Sequence, residues 1–161
     1  MSDSWETDIA SLLDELLDVQ DKLLKLFNRK RDLLIAADTA GLDALGIEEE
    51  RLVQALTASI QRRQELLERA ERQGRPAASI QQLSRSLPRE EHQRLYPHVS
   101  RAKSNARLLR HESLVNWMVV QRTLIHLSQM LEIIATGGRL QPTYGEGEAS
   151  GTSGALVDRA A

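Results

Sequence analysis

The chain has 161 residues, no cysteine and a net charge of −2, and 41% of its residues are hydrophobic, mostly leucine, isoleucine and alanine. The lack of cysteine excludes disulfides, thiolate metal sites and cysteine nucleophiles, and the near-neutral charge gives no global attraction to nucleic acid. We expect a single helical domain, because this length buries roughly 70% of the unfolded surface and the residue usage favours helices.

The first predicted helix runs from about residue 4 to residue 37. Its apolar residues recur every three or four positions, as expected for one buried stripe; they are Ile9, Leu12, Leu13, Leu16, Leu17, Leu23, Leu24, Phe27 and Leu34. Asp38, Gly41 and Gly46 then predict a turn of about ten residues. The second helix is predicted from 47 to 73, antiparallel to the first, and Gly74 with Pro76 marks its end.

A short helix is predicted at 79–86, with Ser79 as its N-cap, and a third long helix at 88–136. Pro97 lies inside this third helix, where a missing amide donor predicts a kink or a restart. Gly137 and Gly138 end it. The prediction is therefore a helical domain over residues 1–138, followed by a flexible Gly/Ser-rich tail over 139–161.

Charge is distributed unevenly along the chain. Residues 1–21 contain seven acids and no base, whereas residues 85–111 contain seven bases and two acids. The simplest interpretation places the two segments side by side, and a phosphate-binding stripe is the alternative. The predicted order of helices and the charge distribution both fit an all-α, up-down-up antiparallel three-helix bundle, or helical hairpin. In that fold the first and third long helices run parallel.

Residues 113–135 are more apolar than one helix-packing face requires. On a helical projection, one arc suffices for core contact; it contains Trp117, Val120, Leu124, Leu127, Leu131 and Ile134. Other apolar residues fall outside this arc: Leu114, Val115, Met118, Val119, Ile125, Met130 and Ile133. Three interpretations remain open, namely a homodimer interface, a deeper core, or a docking surface for an amphipathic helix of another protein.

Catalytic and metal-binding motifs are missing from the sequence. The four histidines (His92, His98, His111, His126) form no i,i+4 pair, so we expect no metal, no cofactor and no enzymatic activity. A histidine phosphotransfer domain using His111 or His126 is an alternative. The acidic N-terminus does not resemble a signal peptide, and the polar residues within 113–135 argue against membrane insertion.

Several segments, in their order, resemble the FlgN-type flagellar export chaperones. They are LLDELLDVQDKLLKL, the break DTAGLDAL, EEERLVQAL with RRQELLE, SNARLLRHESLVN in the third long helix, and PTYGEGE in the tail. The pattern includes an Asn-x-x-Leu-Leu (Asn105, Leu108, Leu109) and a tail Tyr-Gly (Tyr144, Gly145). The similarity extends over most of residues 8–147.

The resemblance implies a cytoplasmic chaperone that binds the helical ends of the hook-filament junction proteins, FlgK and FlgL, before type III export. It makes the apolar residues outside the core arc candidates for client contact: Leu114, Val115, Met118, Val119, Ile125, Met130 and Ile133. It also makes Tyr144 a candidate for docking to the export gate. The main alternative is a coiled-coil scaffold that self-associates through its third long helix and has no client.

Overall fold

The computed structural model describes residues 4–135, which contain helices and no strand. The helices are α1 (Trp5–Ile35), α2 (Thr39–Arg72), α3 (Ile80–Arg85) and α4 (Arg89–Ala135). Contacts divide the chain into two compact units after Leu124. The first unit contains described residues 4–124, and the second contains described residues 125–135. The all-α class is confirmed, whereas the predicted boundary at 138 and the tail lie outside the described residues.

The connection between α1 and α2 is shorter than predicted. It consists of residues 36–38, and α2 begins at Thr39 rather than near residue 47. Ala37 adopts a left-handed conformation (φ 54°), and the amides of Ala37 and Asp38 donate to the carbonyls of Leu34 and Leu33. This pattern is a Schellman motif. Alanine, and not a glycine, therefore provides the left-handed residue at the turn.

Asp38 starts α2 directly after this turn. Its side chain accepts a hydrogen bond from the Gly41 amide at 2.9 Å, which satisfies one of the free donors in the first helical turn. A Cβ on Gly41 would lie 2.6 Å from Asp38 Oδ2 and 2.7 Å from Leu33 Cδ2. The absence of a side chain on Gly41 thus lets Asp38 and Leu33 lie close to the α2 backbone. Because Gly41 lies inside α2, the prediction that it belongs to a ten-residue turn is wrong.

The α1–α2 pair is antiparallel, as predicted. Arg69 and Arg62, near the end of α2, pair with Asp8 and Glu15, near the start of α1. At the opposite ends of the helices, Lys30 pairs with Glu49 at 2.7 Å.

The start of α4 runs parallel to α1. Arg94 contacts Glu6, and Arg101 contacts Asp21 at 2.6 Å further along both helices. The predicted neighbourhood of acidic and basic segments is therefore confirmed for these pairs. Asp8 and Glu15, however, are paired with α2, so the acidic segment is divided between two neighbouring helices.

The main hydrophobic core joins all four helices within residues 4–124. It is formed by Ile9, Leu12, Leu13, Leu17, Leu66, Leu67, Ala70, Ile80, Leu83, Leu87, Leu95 and Ala102. The short helix α3 is capped as predicted, since the Ser79 hydroxyl accepts a hydrogen bond from the Gln82 amide at 3.1 Å.

Helix α4 is continuous through Pro97. The expected restart is wrong, although a proline inside a helix costs about 3 kcal/mol. Burial of Leu95 and Ala102 on the two sides of Pro97 stabilises the helical path, since burying a leucine fully is worth roughly 1.5–3 kcal/mol.

Candidate partner-binding surface

Three buried amide side chains lie where α1 and α4 meet. Gln20 Nε2 donates to the carbonyl of Ala102 at 3.1 Å, and Asn105 Nδ2 donates to Asp21 Oδ1 at 2.8 Å. Asn116 Nδ2 donates to the carbonyl of Phe27 at 3.2 Å. Directional bonds of this kind fix the register of two helices more strictly than apolar contact does.

Asn116 defines the face of α4 that packs inward in the first unit. It is 5% exposed, and the residues near it on the same helical face are buried or half-buried: Asn105, Leu109, Glu112, Val119, Val120 and Thr123. Most of this face is polar or small. Between Ala102 and Leu124, α4 therefore contacts its neighbours in the first unit through hydrogen bonds and the ion pair Arg31–Glu112 more than through large apolar side chains.

The predicted core arc of the segment 113–135 is wrong. Trp117 is 59% exposed, and the remaining members of the arc, apart from half-buried Val120, are more than half exposed: Leu124, Leu127, Leu131 and Ile134. Trp117 lies about 100° round the helix from Asn116, so it cannot share the inward face. Hydrophobicity alone placed the arc on the wrong side, because the residue that packs inward is an asparagine.

Within the first unit, the candidate contact residues fall into two groups. Leu114 is more than half exposed and Met118 is 45% exposed. Val115 and Val119 are half-buried. Trp117, which the hydrophobic pattern predicts in the core, is a further apolar residue exposed here. Its exposure is not visible in hydrophobic periodicity, since that pattern does not report whether a neighbouring helix is present.

Within the second unit, every described side chain is exposed. The candidates Ile125 and Ile133 are 55% and 44% exposed, and Met130 is more than half exposed. Leu127, Leu131 and Ile134 add to the apolar surface. This part of α4 is therefore apolar on more than one side, with none of its own residues buried.

Exposed apolar residues are concentrated in this part of the chain. Ten of the sixteen large hydrophobic residues exposed in the described structure lie between residues 114 and 134. Scattered exposed apolar residues are normal on protein surfaces, but a concentration marks an interaction site. The residues between 114 and 134 are consequently the strongest candidates for partner contact. Tyr144, the candidate for gate docking, lies outside the described residues.

An ion pair between Arg94 and Glu6 joins the start of α4 to α1 and shifts the pKa values of both side chains. Arg94 donates to Glu6 through Nε at 2.5 Å and through Nη2 at 2.9 Å. These hydrogen bonds lower the pKa of the Glu6 carboxyl and raise the pKa of the Arg94 guanidinium. The pair remains charged at neutral pH.

The described residues show no group of His, Asp or Glu arranged to hold a metal ion. His92 lies near the Ser84 hydroxyl, with 3.4 Å between Nδ1 and Oγ, and packs edge-on against Tyr96. His111 and His126 are exposed. No helix between residues 4 and 135 combines the length and apolarity needed to span a bilayer.

The family model described as FlgN protein matches residues 1–150, a span that includes all four helices and the exposed apolar residues between 114 and 134. No curated protein and no solved structure matches the chain significantly. The family match extends over most of the chain, and the chain therefore belongs to the FlgN family of flagellar export chaperones.

Proposed function

We propose that this protein is a cytoplasmic type III export chaperone that binds the helical terminal segments of the hook-filament junction proteins, of FlgK and FlgL type. It prevents their premature association and delivers them to the flagellar export gate. The observation that carries the proposal is the exposure of Met118, Ile125 and Ile133, together with membership of the family. Had these side chains been buried in the monomer, no apolar surface would remain for a client at these positions.

The proposed client contacts are Leu114, Val115, Met118, Val119, Ile125, Met130 and Ile133. Amphipathic helices bind other helical proteins by laying an apolar face against an apolar row, and the methionine side chains adapt to clients of different shape. Trp117 joins this set on the basis of its exposure. Large aromatic residues are enriched among those that dominate binding energies at interfaces.

The proposed arrangement is an up-down-up bundle of α1, α2 and α4. The antiparallel ion pairs between α1 and α2 and the parallel contacts between α1 and the start of α4 support it. In this arrangement α1 and α2 hold the first part of α4 in a fixed register. Tyr144 would then serve the separate step of docking to the export gate.

The test is calorimetric titration with the terminal helical segment of the FlgK-type protein from the same genome. Met118→Asp and Ile125→Asp should each weaken the Kd at least tenfold, because each places a charge at an apolar contact, and tenfold corresponds to about 1.4 kcal/mol. Ile60→Asp and Val53→Asp are matched controls, since these residues are similarly exposed on α2. Equal affinity in all four variants would refute the proposed surface.

The alternative is a scaffold that self-associates through α4 and has no client. Sedimentation of the same variants distinguishes the two functions. The chaperone proposal expects Met118→Asp to lose the client while the bundle stays folded. If the protein is a scaffold, the wild type should form an oligomer that Met118→Asp dissociates. Neither form should then bind the junction protein.

A further inference from the structure

A second apolar surface lies within the first unit, between the helices that form the core. It is a groove of about 360 Å³ whose lining comes from α1, α2, α3 and α4 and includes no residue after Ala106. Leu16 lies on its α1 side, Ile80 on its α3 side, and Val99 and Ala106 on its α4 side. The groove is distinct from the client contacts proposed above, the first of which is Leu114.

The groove walls restrict the kind of segment that can bind. Its lining residues belong to helices or to the Ser79 cap, so their backbone groups are not available to pair with an added strand. None of the residues lining it is aromatic, which argues against the aromatic-lined grooves that bind polyproline segments. An apolar groove between helices is instead the usual seat of an amphipathic helix.

The charges beside the groove have one sign. Arg63 of α2 and Lys103 of α4 are both among its lining residues and are both exposed. Neither forms an ion pair with another described residue. Two unpaired cations at one apolar groove favour a partner whose apolar face is flanked by acidic side chains.

We propose that this groove binds a short amphipathic helix of a partner protein, with acidic residues flanking its apolar face. The apolar side chains lie against Leu16, Val99 and Ala106. The acidic residues pair with Arg63 and Lys103. This surface is additional to the client surface on α4, so the chaperone can hold two helical segments at once.

The experiment selects binders from a displayed library of 15-residue helical peptides. Each peptide has an apolar face at the i, i+3, i+4, i+7 positions and a free choice of Glu, Lys or Gln at the flanks. The bait is the full chain carrying Met118→Asp and Ile125→Asp, which weakens the α4 surface. We expect selected peptides to carry Glu at the flanks.

Binding of the selected peptides is then measured by fluorescence anisotropy. Ala106→Trp, which fills the groove from an exposed helical position, should weaken binding at least tenfold, as should the double charge reversal Arg63→Glu with Lys103→Glu. The matched controls are Ala58→Trp and Arg51→Glu, which are exposed on α2 and do not line the groove. They should change the Kd less than twofold.

Each outcome decides the proposal. Selection of peptides that prefer Lys at the flanks, or that bind the Ala106→Trp variant as well as the parent, would overturn it, as would a library that yields no binder. The charge-reversal variant keeps the test valid if Ala106→Trp fails to fold. If the groove binds peptides while Met118→Asp abolishes client binding, the two surfaces are separate. If peptide binding fails but client binding does not, only the groove proposal is overturned, and the reverse result overturns only the proposed client surface.

Discussion

At the scale of single residues, the asparagines and glutamine between α1 and α4 decide how these helices pack. Gln20 and Asn116 each donate from their amide nitrogen to a backbone carbonyl, and their amide oxygens are buried without a partner among residues 4–135. Such half-satisfied amides stabilise little and mainly specify register. Hydrophobic periodicity does not predict these contacts, because it assigns no core position to an asparagine or a glutamine.

Replacing Asn116 with leucine should raise the free energy of unfolding by about 1 kcal/mol, because the change removes a buried unsatisfied oxygen and adds apolar burial. Asn116→Ala is the control, since it removes the same oxygen without filling the space and should give no such gain. Urea unfolding monitored by circular dichroism measures both. A leucine variant less stable than the alanine variant would show that the amide contributes more than this account allows.

The Glu6–Arg94 pair predicts a pH dependence with a definite sign. The pKa of Glu6 is lowered by the hydrogen bonds from Arg94, so its contribution to stability is fully present above the pKa of Glu6 in the unfolded chain. It is lost as pH falls through the lowered pKa of the folded state. Arg94→Gln should therefore be less stable than wild type at neutral pH, and the difference should vanish in acid.

Thermal melts of both proteins at several pH values between neutral and strongly acidic test this expectation. Lys103→Gln is the control, because Lys103 is an exposed cation of α4 without an ion pair among residues 4–135. A difference between Arg94→Gln and wild type that is unchanged in acid would contradict the assignment to Glu6.

At the scale of helices, the ends of α1 and α2 show where sequence patterns are informative. Gly74 (φ 69°) ends α2 as predicted, with the amides of Gly74 and Arg75 bonded to the carbonyls of Glu71 and Ala70. Helix α1 ends in the same motif with Ala37 in the left-handed position. No residue preference predicts an alanine there, so the turn was placed at the glycines that follow.

Ala37→Gly should raise the free energy of unfolding by about 1 kcal/mol, because glycine adopts the left-handed conformation without the steric cost paid by an L-residue. Gly74→Ala should lower it by a similar amount, as the same motif would then contain an unfavourable residue. The two changes are each other's control and are measured by urea unfolding. Equal effects of one sign would contradict the assignment of both ends to this motif.

At the scale of the whole molecule, the sequence predicted the all-α class and the order of helices. It also predicted the antiparallel α1–α2 pair and the parallel start of α4, because stripe periodicity and charge sign are local properties of the chain. It did not predict which side of residues 113–124 packs inward. That side is set by polar contacts such as the hydrogen bond from Asn116 to the Phe27 carbonyl, which hydrophobic periodicity does not contain.

The consequence for the candidate site is specific. Met118, Ile125 and Ile133 were expected to be exposed, and they are. Trp117 and Leu124 were expected in the core, yet they are exposed as well. The apolar surface available to a partner is consequently broader than the predicted contact residues alone. Helix periodicity does not show which of these residues contribute most to the binding energy.

The most direct test of the central claim is methyl NMR of the methionines during titration with the junction-protein helix. Met118 and Met130, two of the three methionines of the chain, are proposed client contacts. We predict that the methyl signals of both shift as the client binds. Binding that leaves both Met118 and Met130 unshifted would show that the client is held elsewhere.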